Sequence, residues 1–148
     1  MAKKLKLVLD QNVLDEYNKY YFSQHPRARV QPIKRPIHES INQWMIMKRP
    51  MMNSLKQKWC DFGIWWIKKL GYDNMQLDKF NMHFISYMPS KRRADPDNYT
   101  PKFLLDAFTQ SGFIMDDNGE HLKVLSLSTD YDKDNPRTEI VIEILLEE

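Results

Sequence analysis

Two charged clusters in the middle of the chain are the residues most suited to chemistry. The first is KRRADPDN, residues 91–98, where three cations run into two aspartates; the second is GFIMDDNGE, residues 112–120, an apolar run followed by an aspartate pair. Carboxylate oxygens are the ligands of hard divalent cations, which can be held against a phosphate beside a basic loop. The two clusters predict a metal site that acts on a phosphate ester. The cations are Lys91, Arg92 and Arg93, and the carboxylates are Asp95, Asp97, Asp116 and Asp117.

A strand, a short helix and a second strand are the elements that the pattern predicts around these clusters. FNMHFISYM, residues 80–88, is rich in aromatic and branched residues and predicts a central strand covered on both sides. The helix follows within YTPKFLLDAFTQSG, with Thr100 as N-cap, Pro101 as the first helical residue and Gly112 as the terminator. The apolar run after Gly112 predicts the second strand.

The two aspartate pairs are expected to differ in geometry. Alternate residues of an extended segment share a face, so Asp95 and Asp97 would reach one ion, whereas the neighbours Asp116 and Asp117 would point to opposite faces. Either pair alone is also typical of a turn, because Asp, Pro and Asn favour turns and helix caps. Adjacent aspartates repel each other unless a cation compensates, so the two pairs together favour the metal site.

The whole chain predicts an α+β fold, in which a mixed sheet and two main helices form two layers in the order β-α-β-α-β-β. Residues 5–9 alternate like a strand, and residues 13–21 follow with helical spacing. Apolar residues recur every three or four positions between Pro50 and Gly71, which predicts the longest helix. Residues 121–129 and 138–146 predict two last strands that pair as a hairpin.

Charge is divided unevenly along the chain, although its net value is only +2. Residues 1–94 hold 18 Lys and Arg against 7 Asp and Glu, a balance of +11, and residues 95–148 hold 4 against 13, a balance of −9. A basic face attracts a polyanion, although an uneven solvated surface is the alternative. The 42% hydrophobic and 28% charged content is that of a soluble globular protein, so a cytoplasmic location and no membrane partner are expected.

Other kinds of site find little support in the composition. The four glycines never cluster, which excludes a P-loop and a dinucleotide fingerprint, and no small-molecule cofactor is expected. The single cysteine, Cys60, excludes an internal disulfide and fits a buried position in the long helix. The four histidines lack ligand spacing and are expected to be surface or packing residues. Carboxylates therefore remain the only candidates for catalysis.

A proline-broken basic stretch, residues 25–36, precedes the long helix, and we call it the basic arm. Three prolines exclude a regular helix, and no residue of the stretch is expected to be buried. Its cations could contact DNA phosphates, with a solvated loop as the alternative. These cations are Arg27, Arg29, Lys34 and Arg35.

The ordered series RRADPDN, KFLLDAF and GFIMDD resembles the signature of the RusA family of Holliday-junction resolvases. The matching segment runs from Arg92 to Asp117, about a fifth of the chain. The resemblance implies a homodimeric, Mg²⁺-dependent endonuclease that cuts a four-way DNA junction in DNA recombination and repair, with Mn²⁺ expected to substitute. PIHESIN, residues 36–42, resembles the family's opening element, so residues 1–35 would be an N-terminal extension and residues 36–148 the endonuclease domain.

The resemblance also implies roles for individual residues. Asp95, Asp97 and Asp117, which we call the signature aspartates, would be catalytic metal ligands, with Asp116 adjacent as a further ligand. Lys102 would match the family's lysine, although that lysine stands one residue closer to the second aspartate. A cation in the first turn of a helix opposes the macrodipole, which favours a catalytic role for Lys102 over that of a solvated lysine. Lys91, Arg92 and Arg93 would contact neighbouring phosphates and make no sequence-specific contact with the bases.

Two other functions remain open on the sequence. One is a metal nuclease that acts on other branched DNA, such as flaps and forks. The other is a non-catalytic DNA-binding recombination-accessory protein, in which aromatic side chains would stack on bases. Trp59 and Trp66 are expected in the core because they lie at helical spacing on the long helix. The candidate stacking residues are Tyr20, Tyr21, Trp44, Trp65 and Trp66.

Overall fold

A computed structural model describes residues 3–145 and has the α+β architecture that the sequence predicts. A four-stranded mixed sheet carries the helices that form the second layer. The predicted strand end at residue 146 lies outside the described residues. The elements are β1 (Lys3–Leu9), α1 (Gln11–Gln24), α2 (Ile41–Trp44), α3 (Arg49–Leu70), β2 (Phe80–Met88), a 3₁₀ turn (Pro96–Tyr99), α4 (Lys102–Gln110), β3 (Leu122–Tyr131) and β4 (Arg137–Ile144).

The strand order of the sheet is β1-β4-β2-β3, which makes β2 central as predicted. The predicted hairpin of the last two strands is wrong, because β4 pairs antiparallel with β1 and β2 while β3 pairs parallel with β2. Burial explains the arrangement. Ile140 and Ile142 of β4 are fully buried, whereas β3 is exposed at four successive residues and takes an edge.

One face of the sheet forms the core with the helices. Phe80, Met82 and Phe84 of β2 are buried, while the alternate residues are only half-buried, so the expected cover on both sides is wrong. The long helix α3 ends at Gly71, whose φ of 78° lies in the left-handed region that glycine tolerates. Trp59 and Trp66 are buried in this core, as expected.

Helix α4 packs closely on α3 and begins later than predicted. A side chain at Gly63 of α3 would collide with the Cβ of Ala107 in α4, so the glycine permits the close approach. The N-cap residue is Pro101 and not Thr100, and the first helical residue is Lys102. The chain turns away at Gly112, which has a φ of 83°.

The first 35 residues share the core with the remainder of the chain. Leu9 and Leu14 are fully buried, so β1 and α1 are structural elements of the same fold. The expectation that nothing in the basic arm is buried is wrong, since Ile33 is 2% exposed and belongs to the core cluster. The four cations of the basic arm are exposed. No helix within residues 3–145 has the length and the apolar character needed to cross a bilayer.

Candidate active site

Asp116 and Asp117 lie on a corner of the chain between α4 and β3. The strand predicted here is absent, because the run makes only an isolated bridge between Ile114 and Leu77. The turn at Gly112 and a second turn at residues 118–121 leave too few residues for a paired strand. The corner is therefore a bend that follows the C-terminus of α4.

The two aspartates of the corner interact with each other. The Asp117 N–H donates to Asp116 Oδ1 at 2.7 Å, and Asn118 Nδ2 donates to Asp116 Oδ2 at 3.2 Å. Burial raises the pKa of Asp117, a side-chain hydrogen bond with Asp116 raises it further, and the nearby charge of Asp106 adds to the increase. The expectation of opposite faces is wrong, because a bend does not follow the alternation of a strand.

Asp106 is a candidate site residue that the sequence reading missed. It is half-buried on α4, a helix whose other middle residues are buried, and its charge acts on Asp117. Lys102 is exposed and precedes Asp106 by one helical turn, so the two side chains share a face. The signal in the sequence was the pair of polar positions in KFLLDAF, where every other residue is apolar.

Asp95 and Asp97 lie on a different segment and are both exposed. Asp97 belongs to the 3₁₀ turn that follows Asp95, so the two do not form the extended pair expected from the sequence. Arg93 Nε donates to Asp95 Oδ1 at 3.1 Å. Neither residue is among the groups that shift the pKa of Asp117. Asp106 and Asp116 therefore act on the charge of Asp117, whereas Asp95 and Asp97 belong to a separate segment of the chain.

The segment that carries Asp95 and Asp97 is held through its backbone and through Asn98. The Asn42 N–H at the start of α2 donates to Asn98 Oδ1 at 3.1 Å, and Thr129 Oγ1 of β3 donates to the Ala94 carbonyl at 3.1 Å. These bonds fix the loop beside β3 without using either carboxylate. Within residues 3–145, no three His, Cys, Asp or Glu side chains are arranged to hold one metal ion.

The 91–93 cations lie beside this loop and are exposed. Lys91 Nζ lies 5.3 Å from the centre of the Tyr131 ring, a cation–π contact that holds the ammonium at the end of β3. Lys91 and Arg92 also line a cavity of about 340 Å³ with Thr129 and Tyr131. Exposed cations at a strand end are suited to phosphate contacts.

His38 links this region to the core and was expected only to be a surface or packing residue. Its side chain is buried, and burial lowers its pKa from 6.5 to about 4, so the ring is neutral at pH 7. The neutral ring donates from Nδ1 to the Glu39 carbonyl at 2.7 Å and accepts at Nε2 from the Phe103 N–H at 3.2 Å. The second bond satisfies an N–H in the first turn of α4, next to Lys102.

The carboxylate corner and the exposed basic loop, which flank α4 in the chain, are features that an enzyme cleaving nucleic-acid phosphodiesters would need. The chain matches the family model of endodeoxyribonuclease RusA over residues 6–143, and it belongs to that family. No curated protein matches the chain. The match confirms the resemblance and extends beyond the signature to residues 6–35, which we expected to lie outside the family. The family implies an endonuclease that resolves Holliday junctions.

Proposed function

We propose that the protein is a metal-dependent endonuclease that resolves four-way DNA junctions by paired cleavage in recombination and repair in the cytoplasm. The observation that supports the proposal is the carboxylate corner, where Asp116 and Asp106 act on Asp117, in a chain that matches the RusA family over residues 6–143. Burial is the main cause of the raised pKa of Asp117, and the hydrogen bond with Asp116 and the charge of Asp106 raise it further; a bound divalent cation would offset both the burial and the negative charge.

Mg²⁺ is the ion that we propose for the corner. Mg²⁺ keeps several waters and is bound by one or two carboxylates together with substrate phosphates, so three clustered side chains are not required. Asp117 and Asp116 would hold the ion, with Asp95 and Asp97 as the further ligands that the family signature implies. When bound, Mg²⁺ would lower the pKa of a water and polarise the scissile phosphate. Mn²⁺ would substitute, because it accepts the same oxygen ligands.

The cations around the corner would bind and orient the DNA. Lys102, at the start of α4, would stabilise the negative charge that develops on the phosphate. Lys91, Arg92 and Arg93 would contact neighbouring phosphates and fix the position of the strand. The basic arm would extend this contact, since its four cations are exposed while Ile33 anchors it in the core.

The partner of the protein on the DNA would be a second copy of the same chain. A four-way junction is resolved by two symmetric cuts, and two identical sites related by a two-fold axis supply them. We therefore propose a homodimer on branched DNA.

The experiment is incubation of the protein with a labelled synthetic four-way junction in Mg²⁺ and in EDTA. We expect paired cuts in Mg²⁺ and none in EDTA. Asp117→Asn should abolish cleavage and retain junction binding, whereas Asp134→Asn, at an exposed aspartate of the turn before β4, should cleave normally. Preferential cutting of flaps or forks would identify the other nuclease function. Binding without cleavage of any substrate would favour the accessory function and refute the proposal.

A further inference from the structure

A groove of about 750 Å³ lies between α1 and α3, away from the carboxylate corner. Trp65 of α3 lines this groove. It follows Gly63 by two residues, so the two positions are about 200° apart around the helix axis. Because Gly63 faces α4, Trp65 faces the opposite side of α3. The groove therefore belongs to a different surface from the one that α4 and the corner form.

Partly exposed aromatic rings line the groove. Tyr20 is 47% exposed and Trp65 is half-buried, and their ring centres are 6.2 Å apart with planes inclined by 32°. The buried Tyr17 also contacts Trp65, and their ring centres are 5.1 Å apart. The two exposed rings therefore pack against the core. Exposed aromatic rings on a firm base are suited to stacking against another planar group.

Charged side chains flank these rings. Helix α3 carries five Lys and Arg against one acidic residue, Asp61, and Lys68, Lys69 and Asp61 all line the groove. Lys69 pairs with Glu16 and lies 5.1 Å from the centre of the Trp65 ring, whereas Lys68 is exposed. The other end of the groove reaches His25, where the basic arm begins. The exposed Lys68 beside the aromatic rings favours an occupant that carries a phosphate next to a planar ring system.

We propose that the groove binds an unpaired nucleotide of the DNA substrate, with the base stacked on Tyr20 and Trp65 and a phosphate near Lys68. Every base has a face for stacking, and single-strand sites combine such platforms with a cationic path for the backbone. The base pairs at a branch point are the ends of duplex arms and open more readily than pairs inside a continuous duplex. The identity of the DNA rests on the proposed function, but the groove lies apart from the cleavage site.

The test is the binding of a fluorescently labelled single-stranded oligothymidylate in EDTA, followed by anisotropy. Tyr20→Ala should raise the Kd about tenfold, the scale of one lost stack, while Tyr20→Phe should bind like the wild type because the ring remains. Lys68→Glu should weaken binding more than Lys58→Glu, which changes the charge of the same helix at an exposed position outside the groove. Tyr20 is largely exposed, so thermal unfolding of its variants should match that of the wild type.

Three outcomes decide the proposal. Unchanged oligonucleotide binding in Tyr20→Ala overturns it. Light scattering that shows a dimer converted to a monomer by Tyr20→Ala, with oligonucleotide binding retained, assigns the groove to a second copy of the chain and also overturns it. Loss of binding in Tyr20→Ala but not in Asp117→Asn supports it. The last result, together with a wild type that cuts no junction, would reject the proposed function and leave the groove as a binding site.

Discussion

Acidification is expected to destabilise the protein through the buried His38. Burial lowers the pKa of this histidine from 6.5 to about 4 in the folded state. As the pH falls below 6.5, the unfolded state binds a proton that the folded state still excludes. The stability that the neutral ring contributes is therefore complete above 6.5 and is lost as the pH falls towards 4. At about 1.4 kcal/mol per pKa unit, the loss approaches about 3 kcal/mol.

The assay is urea unfolding over a series of pH values, for the wild type and for His38→Gln. The glutamine can accept from the Phe103 N–H and donate to the Glu39 carbonyl, as the histidine does, but it does not titrate. Asp132 and Glu139, whose pKa values are lowered through Arg137, titrate in both proteins and cancel in the comparison. We expect the wild type to lose more stability than His38→Gln between pH 6.5 and about 4. Equal losses in the two proteins would refute the reasoning.

Four further predictions concern the site and its supports. Replacing any one signature aspartate with asparagine should abolish junction cleavage, because the amide cannot supply the charge that a hard cation needs. Junction binding in a gel-shift assay should persist or strengthen, because a negative charge near the phosphates is removed. Asp116→Asn should reduce the cleavage rate only partially, since an amide oxygen can still accept the Asp117 N–H; complete loss would give Asp116 the larger role. Replacing the four cations of the basic arm with serine should weaken junction binding and make it less dependent on salt concentration, because fewer counterions are released. An unchanged salt dependence would show that the arm does not contact DNA. Gly63→Val should lower the free energy of unfolding by about 1–3 kcal/mol, because the new side chain collides with Ala107, and chemical denaturation measures this loss.

Local sequence patterns were enough to identify most elements and the signature. The periodicity between Pro50 and Gly71 yields α3 because a single helix needs only one apolar stripe and its two end signals. The alternation in residues 80–88 yields β2 for the same reason. The RusA signature was also readable, because its residues keep their order within one segment of the chain, although Lys102 stands one residue later than the family's lysine. These features depend on neighbours within a few residues.

The tertiary structure alone decided which elements meet. β4 lies between β1 and β2 because its fully buried Ile140 and Ile142 need an interior position, which no turn signal before β4 reveals. Ile33 is buried because its side chain packs into the core cluster, although the sequence of the basic arm is that of an exposed loop. Asp106 acts on Asp117 because the turn at Gly112 folds the chain back after α4. Each of these results depends on burial shared between distant segments, and a local pattern carries no record of its distant partner.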